Sequence, residues 1–223
     1  MKLFLAMDLR QNMVVHGKSG QRETYKPLDW GISPTAEPIA YIRTVKPGYL
    51  YIADLDRIEG TGSHDTVIRL IAREVRCCFV DRGCRFPSDF LEGEHIVSIV
   101  GTETGGSNLS RYHGGFLSID IKNDRVIPCG KEPSEVLASA CRWDFEGCIL
   151  LNVSAVGTGK GINRKTLKKL RDAYDRPLYY GGGVATIRDL EDISQAGFDG
   201  AIVNTAVHRG TIPVEWIRRG SCC

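Results

Sequence analysis

Two absences narrow the field first. No apolar stretch approaches the ~20 residues that a bilayer-crossing helix needs, so no membrane association is expected. The eight cysteines include the adjacent pairs Cys77-Cys78 and Cys222-Cys223 but no C-x-x-C, which argues against a zinc site. A charge of one sign is lacking as well. Lys+Arg number 29 against Asp+Glu 27, so the long-range field is weak and a nucleic-acid partner is not expected. The opening "MKLFLAM" is too short for a signal h-region, has no small-residue cleavage site and runs into charged "DLRQN", which is how a cytoplasmic protein reads. In that compartment the cysteines are expected to be reduced, with Cys77, Cys78 and Cys148 acting as small hydrophobes in strands. A disulfide stays open, because intracellular hyperthermophile proteins are an exception to the redox rule.

What is present is an ordinary globular balance. The 223 residues are 42% apolar and 25% charged, enough to bury a sizeable core as one domain spanning 1–223. Short apolar runs recur along the whole length, at 2–8, 49–54, 77–80, 95–100, 115–121, 148–153, 178–180 and 200–203. They are nearly continuous in hydrophobicity, the pattern of parallel strands covered on both faces. Helical patterns lie between them. In "INRKTLKKLRDAYD", Asn163 is the expected cap and Leu167, Leu170 and Tyr174 share a face. In "TIRDLEDISQAGFDG", Thr186 and Asp189 form a capping-box pattern and Gly197 is the stop. Weaker helices are expected at about 35–45, 64–74, 133–142 and 212–218. Eight strands with interleaved helices predict a (β/α)₈ barrel. After strands three and four the chain reads "RFPSDFLEG" and "ETGGSNLSRYHGG", so helices three and four should be short or missing.

The chain also repeats itself. "AMDLRQNMVV" and "SIDIKNDRVI" match in pattern, as do "LYIADLDRIEGTG" and "ILLNVSAVGTG", dividing the barrel into halves of about 1–112 and 113–223. Asp8 and Asp120 then end strands one and five, on opposite sides of the mouth where active sites of this fold sit. Two opposed carboxylates can divide acid and base work if their environments differ. The bland alternative is that each merely accepts hydrogen bonds from loop amides. Gly181, Gly182 and Gly183 follow strand seven, while Asn204, Thr205 and Ala206 follow strand eight. Loops at these two positions are the usual phosphate site of the fold, and small residues let main-chain N–H groups approach an anion. Tight strand-to-helix packing is the alternative reading of the glycines.

Taken in order, "AMDL", "ADLD" with Asp54 and Asp56, "SIDI", "GTGKG" with Gly157 and Thr158, "GGGVATIRDL" and "GAIVNTAV" resemble the HisA/HisF family of histidine-biosynthesis barrels over essentially the full length. The resemblance implies an Amadori-type aldose-to-ketose isomerase of a phosphoribosyl substrate, working without metal or organic cofactor. Asp8 would be the base that moves the C2 proton and Asp120 the acid that opens the furanose ring.

Two departures qualify the expectation. The family's second phosphate cradle, after strand three, reads "FVDRGCR" here, and a carboxylate about 4 Å from a phosphate costs on the order of 4 kcal/mol per charge pair at an effective dielectric of 20. Either Arg82 and Arg85 replace the backbone donors with Asp81 turned away, or no second phosphate binds. Only Gly83, and Gly101-Thr102 after strand four, survive of that cradle. On strand six the family's Thr-Asp and Asp-Gly-Thr become Leu151-Asn152 and Val156-Gly157-Thr158. A one-phosphate sugar substrate is the expectation. The alternatives are a relative serving another pathway, such as tetrahydromethanopterin biosynthesis, and a non-catalytic barrel that binds a phosphorylated metabolite. The segment after strand one reads as one long loop in which Lys18, Arg22 and Tyr25 are placed to reach a substrate. His16 is undecided there, and His64, His95, His113 and His208 show no ligand spacing.

Overall fold

Each apolar run becomes a parallel strand in the computed structural model, which describes residues 1–158 and 164–222. In chain order the barrel strands are Lys2–Arg10, Tyr49–Asp54, Cys77–Asp81, Ile96–Gly101, Phe116–Lys122, Gly147–Asn152, Leu178–Gly181 and Gly200–Val203. Each pairs with the next, and the eighth pairs with the first from Lys2↔Gly200 to Leu5↔Val203, which closes a (β/α)₈ barrel.

Side chains alternate between the two faces of a strand, and that alternation builds two cores. Leu3, Leu5, Met7 and Leu9 pack outward under the helices, while Phe4 and Ala6 join the inner cluster. Inside the barrel, Phe4 stacks on Phe79 at 4.5 Å and Phe79 lies 4.7 Å from Phe116. Tyr179 meets Phe4, Phe79 and Phe116 edge-on. Such pairs contribute roughly 0.5–1.5 kcal/mol each beyond their buried area. The barrel is therefore plugged from below. Toward the C-terminal strand ends the inward occupants become small or acidic, with Ala6, Asp8, Ala53, Asp81, Gly101, Ser118, Asp120 and Gly181. That change in side-chain size opens the mouth.

Helices form where the periodicity places them. Pro38–Val45 starts on the Glu37 carboxylate, which accepts from the Ile39 and Ala40 amides, and ends on left-handed Lys46. Ile187–Gln195 begins with the reciprocal Thr186–Asp189 capping box and is followed by Gly197 at φ 88°. Asp65–Ala72, Pro133–Ala140, Arg164–Asp172 and Val214–Arg219 are the others expected, and Leu167, Leu170 and Tyr174 are buried together. The expected cap Asn163 lies outside the described residues. After strands three and four there are only the 3-10 turns Pro87–Asp89 and Leu109–Arg111.

The segment after the first strand corrects the sequence reading. It is not one long loop: strand one runs on to Arg10, reverses over Gln11-Asn12 and pairs antiparallel with Met13–His16. Both turn residues have positive φ, 49° and 61°, the geometry that matches strand twist in a two-residue hairpin. The repeat-related Asn123-Asp124 does the same at 51° and 61°, returning the fifth strand through Arg125–Val126. Cys77, Cys78, Cys84, Cys129, Cys141 and Cys148 are thiols without a disulfide, and Cys78 and Cys148 are buried in strands.

Candidate active site

A cavity of about 410 Å³ opens at the C-terminal strand ends. Asp8 and Asp120 enter it from the first and fifth strands, opposite one another in the ring, and Asp81 enters from the third. Their surroundings differ. Asp120 is buried and accepts from the Ser118 hydroxyl at 2.7 Å, the Glu103 amide at 3.1 Å and the Thr102 hydroxyl at 3.3 Å. Burial and the nearby Asp81 charge nevertheless hold its pKa above the usual carboxylate range. The Asp8 carboxylate accepts no hydrogen bond from the described residues, and burial pushes its pKa up to about 7 against the pull of Arg22. Gly17 lets the hairpin pass over it, since a methyl group there would stand 2.4 Å from Asp8 Oδ2.

Asp81 and Asp120 flank one glycine. A methyl group on Gly101 would lie 3.0 Å from Asp120 Oδ2 and 3.5 Å from Asp81 Oδ2. Asp81 accepts from the Gly83 amide at 3.1 Å and the Tyr51 hydroxyl at 3.3 Å, and burial raises its pKa. Arg22 arches over the mouth with two bonds to Glu103, at 3.0 and 2.8 Å. Tyr25 lines the cavity, and burial together with Asp8 pushes its hydroxyl up to about 12.

The rim by strands seven and eight is built of main chain. Gly182 and Gly183 sit at φ 91° and 84°, and their N–H groups and that of Val184 have no acceptor among the described residues. The next two amides are already engaged, because Ala185 and Thr186 both donate to Asp189 Oδ2 at 2.9 Å. Thr205 and Ala206 bring further first-turn amides without intrahelical partners, and Arg209 and Thr211 complete this side. Thr205 Oγ1 also meets His16 Nε2 at 2.9 Å. Burial, then Arg209 and Lys18, lower the His16 pKa.

Several candidates serve neighbours instead. Asn204 lines the cavity but its amide donates to the Ala6 carbonyl at 2.9 Å, tying strand eight to strand one. Gly181 packs against Leu151, Thr158 closes its own turn onto Ala155, and Thr102 holds both the amide and the carboxylate of Asp120. Gly157 touches the cavity, pressed against the Gly17 carbonyl. Gly101 reaches the cavity only through the space it leaves between the two aspartates. Arg82 does not line it: the guanidinium turns outward to Asp65 at 2.7 Å and the Asp89 carbonyl at 2.8 Å. Arg85 binds the Gly83 and Ile58 carbonyls. It is Asp81 that faces inward, the reverse of the arrangement in which arginines rebuild a cradle. Lys18 also lies outside the lining.

His64 has a structural place that ligand spacing does not reveal. It donates Nδ1–H to fully buried Asp54 at 2.7 Å and accepts the Asn12 amide on Nε2 at 3.0 Å. The loop after strand two is thereby locked to the first hairpin.

A family model described as histidine biosynthesis protein matches residues 2–213. The chain belongs to that family. Among its relatives, an uncharacterized protein of Methanocaldococcus jannaschii is 32% identical and covered over 97% of both chains. A protein of the same organism named 1-(5-phosphoribosyl)-5-((5-phosphoribosylamino)methylideneamino) imidazole-4-carboxamide isomerase is 30% identical, over 75% of this chain and 78% of its own. Phosphoribosyl isomerase A of Streptomyces coelicolor is 25% identical over 96% of both. Within the histidine biosynthesis family this chain is a divergent member, and an isomerase activity accords with the names of its relatives. Tyr51, Glu103, Arg209 and Thr211 line the cavity without being singled out by any sequence motif, and Asp81 faces into it.

Proposed function

We propose that this barrel is an aldose–ketose isomerase acting on a phosphorylated, nitrogen-linked sugar held by one phosphate. One observation carries the reading: two carboxylates with raised proton affinity but unlike partners face each other across a cavity that has free main-chain donors on its rim. Phosphate at Gly182–Val184 and Thr205 would set C1 and C2 of the sugar between Asp8 and Asp120. Asp120, kept protonated by burial and by Asp81, gives its proton to the ring oxygen, and the C1–O bond breaks as the nitrogen lone pair forms C1=N. Asp8, unpartnered and near half-ionised at neutral pH, takes the C2 proton. Asp8 returns its proton to C1 while the C2 hydroxyl gives up its own to restore Asp120, which leaves the C2 ketone; the net change is one hydrogen moved from C2 to C1 and one from the C2 hydroxyl to the former ring oxygen.

The single phosphate follows from charge. In the sector of strands three and four the lining presents Asp81, and an anion about 4 Å from it meets on the order of 4 kcal/mol of repulsion at an effective dielectric of 20. The two relatives in one archaeon support a distinct substrate. M. jannaschii has a protein named as the ribotide isomerase and also the uncharacterized relative that matches this chain over nearly its whole length.

Phosphate titration followed by amide NMR tests the rim. Saturating shifts are expected at Gly182, Gly183, Val184 and Thr205, with none of comparable size at Gly83 or Gly101; two separately saturating sets would restore a two-phosphate substrate. In Gly182→Ala, the new methyl would lie 2.2 Å from the Asn152 carbonyl at φ 91°. Strain of roughly 1–3 kcal/mol should appear in denaturant unfolding, with weaker phosphate binding. An unchanged midpoint and unchanged affinity would contradict the close approach.

A further inference from the structure

The cavity is electrically lopsided. One side offers main-chain N–H groups and Arg209; the other offers Asp81, the Tyr51 hydroxyl and Glu103. Glu103 is neutralised by two bonds from Arg22. Asp81 makes no ion pair among the described residues, and Arg22, whose charge reaches it only through space, is bonded to Glu103 instead. Its neighbour Arg82 faces away to Asp65. The carboxylate is only 7% exposed, lines the cavity, and has two neutral donors for its two oxygens, one at 3.3 Å. An ionised carboxylate has about four lone-pair sites, so acceptor capacity remains. A buried charge without a counter-ion is costly unless something cationic supplies one.

We infer that Asp81 receives a protonated nitrogen of the substrate, so that the molecule carries phosphate at one end and an ammonium or amidinium at the other. The inference rests on the one-phosphate isomerase reading. A sugar gripped by its phosphate beside strands seven and eight, with C1 and C2 between Asp8 and Asp120, sends its C1 nitrogen substituent toward strands three and four. Asp81 waits there, and a charge-assisted hydrogen bond at that place selects a cationic substituent over a neutral one of equal size.

Calorimetric titration with two matched compounds tests this: 5-phosphoribosylglycinamide, which ends in an ammonium, and its N-formyl derivative, in which that nitrogen is neutral. The wild-type protein is expected to prefer the ammonium compound by about tenfold or more. Asp81→Asn should erase most of the preference, while its amide oxygen can still accept the Gly83 N–H and keep the turn. Tyr51→Phe, which removes one donor and leaves the charge, should sharpen it. Equal affinities in the wild type, or a preference that survives Asp81→Asn, would overturn the inference while leaving the phosphate rim intact. Inorganic phosphate should displace both compounds. Failure to displace either would remove the rim reading itself, and the inference with it.

Discussion

Replacing Asp8 with Asn, or Asp120 with Asn, is expected to lower turnover by about 10²–10⁴-fold, the range typical of a lost general acid or base. Each change is isosteric and removes a proton-transfer group while leaving the phosphate rim untouched, so the loss should fall on kcat more than on KM. The double variant should be little worse than either single one, because both act on one proton relay. The pH profile separates their roles. Activity should rise as Asp8 deprotonates through about 7 and fall as Asp120 loses its proton. Removing the Asp81 charge, one of the causes that raise Asp120, should move the falling limb to lower pH. The imidazole-carboxamide ribotide in the relatives' names is the substrate to assay. Turnover that neither substitution affects would take the chemistry away from these two carboxylates, and no turnover at all with phosphate still bound would leave the barrel as a binding protein with inherited aspartates.

The barrel was legible because its strands are buried on both faces and read as unbroken apolar runs, and because the glycine-rich stretch after strand four has no period that could make a helix. The half-chain repeat was legible too, and it held an unread clue. Gln11-Asn12 and Asn123-Asp124 occupy the same place in "AMDLRQNMVV" and "SIDIKNDRVI", and both segments turn back as hairpins. Without the glycine that usually marks such turns, the first reads as open loop. The face that Asp81 takes turns on a single residue. Ending strand three at Val80 puts Asp81 and Arg82 in a solvated loop; ending it at Asp81, as the fold does, fixes parity. Phe79 faces into the barrel, so Asp81 must as well, and Arg82 must turn away. What no spacing could supply is the pairing of Arg22 with Glu103, 81 residues apart, or the commitment of the Ala185 and Thr186 amides to Asp189.

Asp8→Asn should also stabilise the protein at neutral to alkaline pH while costing it catalysis. An acid whose pKa rises from 3.8 to about 7 on folding binds more protons in the native state than in the unfolded chain between about pH 4 and 7. Stability contributed by this group therefore falls as pH climbs from about 4 to 7 and stays low above it, the opposite of a salt-bridged carboxylate. At about 1.36 kcal/mol per unit, and allowing for the side of Asp8 that opens to the cavity, the wild type should lie about 2–4 kcal/mol below Asp8→Asn at pH 8. Below pH 4, where the carboxyl is protonated in both states, the two should converge. Urea unfolding at pH 4, 6 and 8 reads this directly. Parallel curves, offset equally at every pH, would mean an ordinary carboxylate at position 8. Convergence in acid would show that the pocket holds an acid it does not solvate, and free energy stored in that way is what a base near neutral pH requires.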